Sequence, residues 1–235
     1  GTELLLGNGS ILVEGLMEFL PERLHLLLIL GGERTEDSIG IELAEFVDMI
    51  ALTDHNTAGN VRAVSMAAEG KIKVVPGIEV TTAEEVHTVC YFPTIEAAED
   101  MSEFLKKNMQ GIKNRPEIFG RQLFMDHNDE ITGEEEELLV SAVNLDIYEI
   151  EKATHERGGM FVPAHIDRSS YSVLANLGFL PPDLKVDAVE ITENGLEKYA
   201  GLYDDYPILT SSDAHYLENI LEREFFFDII EKNTK

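Results

Sequence analysis

The 235-residue chain has one cysteine, few basic residues and no long apolar run. Because Cys90 is the only cysteine, no intrachain disulfide can form, and a reducing cytoplasm is the expected compartment. Cys90 lies in an apolar stretch, so we expect an inert core residue. The longest uncharged apolar run, 26–30, is too short to span a bilayer, and no charged leader with a cleavage site opens the sequence. We therefore expect a soluble protein with no membrane partner.

Basic residues are outnumbered by acidic ones. The sequence has 18 Lys+Arg and 45 Asp+Glu, so the net charge is 18 − 45 = −27. Such a surface repels a polyanion, and we therefore expect no duplex nucleic acid as a partner. Divalent cations would be attracted. Solubility or adaptation to salt is the alternative explanation of this acidity.

The length predicts a single domain over 1–235, because a chain of this size can bury roughly 70% of its unfolded surface in one core. Residues 122–131 have the pattern of a hairpin around a polar turn. This hairpin departs from a simple alternation of strands and helices. We therefore interpret 96–152 as an insertion within the domain.

Apolar spacing predicts helices over 61–68 and 96–107, with a hairpin-like segment at 79–92 between them. Asp146 and Glu149 form a capping-box pattern, which predicts the start of a further helix, and paired glycines follow as its stop. Strands and helices thus alternate along most of the chain, as is typical of an α/β protein.

Five short apolar runs each have an acid or a histidine at one end. The runs and their polar residues are 48–53 with Asp54 and His55, 73–78 with Glu79, 86–92 with His87, 160–164 with His165, and 208–212 with Asp213 and His215. When strands alternate with helices in a barrel, their C-terminal ends share one rim, so these residues would converge on one pocket. Imidazole nitrogens and carboxylate oxygens suit zinc, manganese or iron. The pattern predicts a buried metal cluster.

Two further histidines fall outside this pattern. His127 lies in a turn, and His155 lies on the helix that the capping box begins. We expect both to be solvent-exposed and to take no part in the site.

Segments of these runs resemble motifs of the PHP family, named for polymerase and histidinol phosphatase. They are ALTDHNT at 51–57, VPGIEVTT at 75–82, PAHIDR at 163–168 and SSDAH at 211–215. The resemblance covers about 47–220. It implies a distorted TIM-like barrel of seven β/α units that hydrolyses phosphate esters with two or three divalent metal ions at the strand rim.

The resemblance also implies roles for individual residues. The implied metal ligands are His25, His55, Glu79, His87, His165, Asp213 and His215. Glu79 would bridge two metals and, with Asp54, would belong to the catalytic machinery. Arg168 would bind the substrate phosphate, since a planar guanidinium can bond two oxygens at once. A surface salt bridge is the alternative interpretation of Arg168.

The chain departs from the family pattern at its first motif, which has two histidines separated by one residue. Here His25 matches the first position, but Leu27 stands at the second and cannot ligate a metal. Three explanations stay open. The alignment of this segment is wrong, the chain binds fewer metals than its relatives, or the sequence is incorrect here.

The motifs together predict hydrolysis of the phosphate ester of a small metabolite or nucleotide by a metal-bridging hydroxide. A nuclease that acts on short oligonucleotides is a close variant. The alternative from another class is a metal-binding regulatory or scaffold protein that the change at Leu27 has weakened as a catalyst. Turnover of a phosphate ester would distinguish the two classes.

Overall fold

The computed structural model describes residues 4–6, 49–68, 72–211, 213 and 229–231, with backbone alone at 4–6 and 229–231. The strands are β1 (Leu4–Leu6), β2 (Met49–Leu52), β3 (Lys73–Thr81), β4 (His87–Tyr91), β5 (Leu123–Met125), β6 (Ile131–Glu134), β7 (Met160–Pro163), β8 (Val189–Glu190), β9 (Ile208–Leu209) and β10 (Ile229–Glu231). The α-helices are α1 (Val61–Ala67), α2 (Ile95–Lys106), α3 (Pro116–Phe119), α4 (Ile147–Glu156), α5 (Val173–Asn176) and α6 (Leu196–Tyr199). Two 3₁₀ turns, Glu193–Gly195 and Ala200–Leu202, flank α6.

The largest described sheet has four strands in the order β2-β3-β4-β7. β2 pairs with β3 in parallel, whereas β4 is antiparallel to both β3 and β7. The predicted hairpin-like segment is therefore confirmed as the β3–β4 pair. Gly77 permits the close approach of β2 to β3, because a Cβ there would lie 2.6 Å from Cγ2 of Thr53 and 3.1 Å from the Leu52 carbonyl oxygen.

Alternate side chains of the sheet enter two separate cores. Val89 and Val162 belong to a smaller core on one face, and Ile78, Cys90 and Phe161 belong to the larger core on the other. This follows from the two-residue period of a strand. Cys90 is fully buried, and burial raises the pKa of its thiol to about 12, in agreement with an inert core residue.

The helices begin and end close to where the sequence predicts. The side chain of Asp146 accepts from the Glu149 N–H at 2.8 Å, and the Glu149 carboxylate accepts from the Asp146 N–H at 2.9 Å, so the predicted capping box is present. The predicted hairpin is the β5–β6 pair, which Asn60 ties to α1 through bonds to the backbone of Leu123 and Met125. The insertion of 96–152 into a single domain stays a prediction.

The α/β class is confirmed, but a TIM-like barrel is not shown. Among the described residues the strands form one four-stranded and three two-stranded sheets, and none of these sheets is closed. β8 pairs with β9 in parallel as a separate sheet, although the Ile166 N–H donates to the Glu190 carbonyl next to β7. Across the described part of the chain, no helix has the length and apolarity needed to cross a membrane.

Candidate metal centre

The edge at which β3 ends brings several predicted side chains together. His55 follows β2 and forms an isolated parallel bridge with Glu79 of β3. The Glu79 N–H donates to the Asp54 carbonyl, which fixes these two segments side by side. His87 is the first residue of β4. Because β4 runs antiparallel to β3, its first residue rather than its last reaches this edge.

The Glu79 carboxylate faces three imidazole rings. Its Oε1 is 3.1 Å from Nδ1 of His87 and 3.5 Å from Nε2 of His165, and its Oε2 is 3.5 Å from Nε2 of His55. The His87 ring meets the other two edge-on, at centroid distances of 5.0 Å from His55 and 5.3 Å from His165. Four of the predicted ligands thus form one cluster, which we call the Glu79 cluster.

Burial and charge oppose each other in the Glu79 cluster. Burial alone would raise the pKa of Glu79, but the charges of His87 and His55 and the bonds from His165 and His87 hold it well below its ordinary value. Burial alone would lower the pKa of His165, yet its bond to Glu79 and the charge of Glu79 leave that pKa above its ordinary value. Glu79 is therefore a buried carboxylate that depends on positive charge beside it.

The Glu79 cluster fits a divalent metal by its chemistry. Ligand atoms of His55, Glu79 and His87 lie within 4.8 Å of one another, close enough to share an ion. Imidazole nitrogens with a carboxylate are the donors that zinc, manganese and iron prefer. Nδ1 of His165 is buried and has no hydrogen-bond partner among the described residues, so its bonding capacity is open to a bound group. Each Glu79 oxygen lies within 3.5 Å of an imidazole nitrogen, so either oxygen could act as a ligand.

The remaining predicted residues lie beside the Glu79 cluster or outside the described residues. Asp54 is buried directly before His55. Asp213 is paired with Arg168, whose Nη1 lies 2.5 Å from Oδ2 of Asp213, and the Arg168 side chain is 44% exposed. The alternative of a salt bridge is thus realised, but with a predicted ligand as the partner. His25 and His215 lie outside the described residues, as does Leu27.

Sequence reasoning missed one acid near the cluster. Glu190, at the end of β8, is buried and accepts a bond from Oγ of Ser211 at 2.9 Å. Burial raises the pKa of Glu190 to about 7, and the charges of Asp213 and Glu79 add to this while that of His165 opposes it. The sequence signal is weak, because only two apolar residues, 188 and 189, directly precede Glu190.

The two histidines set aside from the site have different environments. His127 is exposed, as predicted. The prediction that His155 is exposed is wrong. Its side chain is 27% exposed, with Nδ1 lying 2.6 Å from Oε1 of Glu151 and Nε2 lying 2.7 Å from Oδ2 of Asp187. Asp187 also accepts from the Phe161 N–H at 2.8 Å, so this trio joins α4 to β7.

Comparison with known proteins finds relatives only among solved structures. No protein-family model matches the chain, and no curated protein matches it. Endonuclease Q of Pyrococcus furiosus, a lesion-specific endonuclease, matches with a TM-score of 0.54 and 18% identity over 79% of this chain. A Bifidobacterium adolescentis protein, provisionally described as a metal-dependent phosphoesterase, matches with a TM-score of 0.51 and 14% identity, covering 80% of this chain and 86% of that one.

These likenesses concern the fold. They support the PHP-like fold that the motifs imply, although no family model confirms membership of the family. The chain spans less than half of the Endonuclease Q chain, 46% of its length. The chain thus shares a mixed α/β fold with these two proteins, and none of the sheets among the described residues is closed.

The expectation about duplex nucleic acid is wrong as a general exclusion. Endonuclease Q is also solved in complex with a 27-mer duplex that carries an abasic lesion at the active site, a structure that matches with a TM-score of 0.49 and 17% identity over 74% of this chain and 42% of that one. A net charge of −27 describes the whole sequence and not the surface around one site. It therefore does not exclude a duplex as a class of ligand.

Proposed function

We propose that this chain is a metal-dependent phosphoesterase that hydrolyses the phosphate ester of a small metabolite or nucleotide. The observation that carries the proposal is the buried Glu79 carboxylate, which faces imidazole nitrogens of three histidines within 3.5 Å. A carboxylate this buried needs compensating positive charge, and divalent ions would supply it. The PHP-like fold of a phosphoesterase and an endonuclease supports the same class of chemistry.

Glu79, His55, His87 and His165 would hold at least two ions of zinc, manganese or iron, with Asp213 as a further ligand. When bound, such ions lower the pKa of a water molecule and neutralise charge on a phosphate. The protein's own contribution is positional. The backbone bonds between β2 and β3 fix His55 against one Glu79 oxygen, and the antiparallel pairing of β4 places His87 beside the other oxygen.

Arg168 would orient the phosphate. Its side chain is 44% exposed, and its Nη1 is paired with Asp213. A phosphate could bond the remaining N–H groups while Asp213 keeps the side chain in place. Asp54, which is buried next to His55, would help to orient the ligating side chains.

The test combines metal content with turnover. The purified chain, reconstituted with manganese or zinc, is analysed for metal by elemental analysis and assayed with p-nitrophenyl phosphate and with nucleoside monophosphates. We expect about two ions per chain and metal-dependent release of phosphate. Glu79→Gln should abolish turnover and lower the metal content, because it keeps the volume but removes the charge.

Glu85→Gln is the matched control, since it makes the same chemical change at an exposed position six residues from Glu79. It should leave metal content and turnover unchanged. Less than one ion per chain after reconstitution would refute the proposed centre. Two ions without turnover of any phosphate ester would favour the regulatory or scaffold protein, and parental activity in Glu79→Gln would exclude the bridging role.

A further inference from the structure

One aromatic side chain beside the Glu79 cluster has no role in the chemistry above. Tyr171 lies on the segment that follows His165, and its ring stacks on the His87 ring at a centroid distance of 4.8 Å and an interplanar angle of 27°. Tyr171 is 46% exposed. One face of its ring is thus covered by a predicted ligand, while much of the rest of the side chain is open to solvent beside the cluster.

The backbone around Tyr171 is firmly held. The Tyr171 carbonyl accepts from the His87 N–H at 2.8 Å. Oγ of the buried Ser172 donates to the Arg168 carbonyl at 2.7 Å and accepts from the Ala175 N–H at 3.1 Å. Further on, Nδ2 of Asn176 donates to the carbonyls that precede His87 in the chain, those of residues 84 and 85, at 2.9 Å each. These hydrogen bonds therefore hold in place the backbone segment that carries the Tyr171 ring.

Packing does not explain why a tyrosine stands here. Tyr171 has a φ of 53°, in the left-handed region that a bulky side chain rarely adopts. Glycine would occupy this conformation without strain, and strained residues concentrate at functional sites. Nearly half of the surface of Tyr171 stays exposed, and His87 is already oriented by its 3.1 Å contact with Glu79. Neither core packing nor the orientation of His87 therefore requires a tyrosine at this position.

We propose that the open face of Tyr171 binds an aromatic ring of the substrate, and that the substrate is a nucleotide whose base stacks there. This inference rests on the proposed function and specifies its substrate class. Arg168 lies three residues earlier on the same segment, so one segment would supply both the phosphate contact and the ring contact. Stacking suits so acidic a chain, because a base has a neutral π-face that negative charge does not repel.

The test compares two substrates that differ at C1 of the ribose, where one carries adenine and the other a hydroxyl group. Adenosine 5′-monophosphate and ribose 5-phosphate are assayed with the manganese-loaded chain. We expect the parent to have the higher kcat/KM for the nucleotide by about fivefold or more, a difference expressed mainly in KM. Tyr171→Leu should remove this preference and leave kcat/KM for ribose 5-phosphate within about twofold, whereas Tyr171→Phe should retain the preference because the ring is kept.

Phe179→Leu is the matched control. Phe179 is an aromatic side chain on the same stretch of chain, 59% exposed, and it makes no ring contact with the cluster among the described residues. Its loss should not alter the preference. Calorimetric titration with the phosphonate analogue of the nucleotide, which is not hydrolysed, gives a readout that does not depend on turnover, and Tyr171→Leu should weaken this binding about fivefold or more.

The outcomes separate the two proposals. If the parent hydrolyses both substrates equally, or if Tyr171→Leu lowers kcat/KM for both by the same factor, Tyr171 acts only on His87 and the inference is overturned while the phosphoesterase stands. If neither substrate is hydrolysed, the proposed function fails for these substrates, and the titration alone then decides the inference. Equal phosphonate binding by the parent and Tyr171→Leu would overturn it, and weaker binding by the variant would support it.

Discussion

Replacement of Glu190 by glutamine should stabilise the metal-free protein at high pH. Glu190 is buried, and burial raises its carboxyl pKa from an ordinary value of 4.5 to about 7. A carboxyl group whose pKa is higher in the folded state than in the unfolded state stabilises the fold at a pH below its unfolded-state pKa. That contribution is lost as the pH rises through its folded-state pKa. Stability should therefore fall between about pH 4.5 and pH 7 because of this group.

The two pKa values set the size of the effect. At about 1.36 kcal/mol per pKa unit, a rise from 4.5 to about 7 corresponds to a full loss of unfolding free energy of about 3 kcal/mol. A smaller part of this loss has already occurred by pH 5. About 2–3 kcal/mol should therefore be lost between pH 5 and pH 8 in the parent and not in the variant.

The measurement is urea unfolding of the chelator-treated parent and Glu190→Gln at pH 5 and pH 8. Taking the difference between the two proteins cancels the contributions of acids that do not interact with Glu190. Glutamine can still accept the Ser211 hydroxyl, so the local bond survives. Glu197→Gln, at an exposed position on α6, is the control and should show no such dependence. A parent-to-variant difference that does not change with pH would mean that Glu190 is ionised throughout, and the reasoning would fail.

Three further predictions concern other contacts. Gly77→Ala should destabilise the fold by about 1–3 kcal/mol in urea unfolding, because the new methyl group meets Thr53. Asp187→Ala should cost about 1–3 kcal/mol, since the Phe161 N–H and the His155 ring both lose an acceptor. Arg168→Lys should raise KM for a phosphate ester with little change in kcat, and unchanged kinetics would leave Arg168 with its salt bridge alone.

Much of the fold was predictable because its signals are local. The capping box at Asp146 needs only a side chain three residues away, and α4 begins there. The β5–β6 hairpin is encoded by a polar turn between two short apolar runs. Closure of the sheet into a barrel has no such local signal, because it depends on pairing between distant strands, and in the described residues β8 and β9 pair apart from the main sheet.

The part of the candidate site whose residues stand at the ends of strands was predictable from the sequence. His55, Glu79 and His165 each follow an apolar run, so strand ends at a common edge account for them. His87 reaches the same edge from the start of its strand, because β4 is antiparallel to β3 and its first residue pairs with the end of β3. The stacking of Tyr171 on His87 depends on the path of a loop, which no periodicity in the sequence encodes.

The error at His155 and the error about duplex nucleic acid have a common physical origin. The sequence neighbours of His155 predict exposure, but Asp187, 32 residues away, supplies one of its two carboxylate partners. The net charge of −27 likewise does not say how the charges are distributed over the surface. In the structure, however, several acids are paired or buried, among them Glu79 between imidazoles and Asp213 against Arg168. What a ligand meets is the local balance of charge at the Glu79 cluster, and imidazole, guanidinium and bound cations can make that balance positive within an acidic protein.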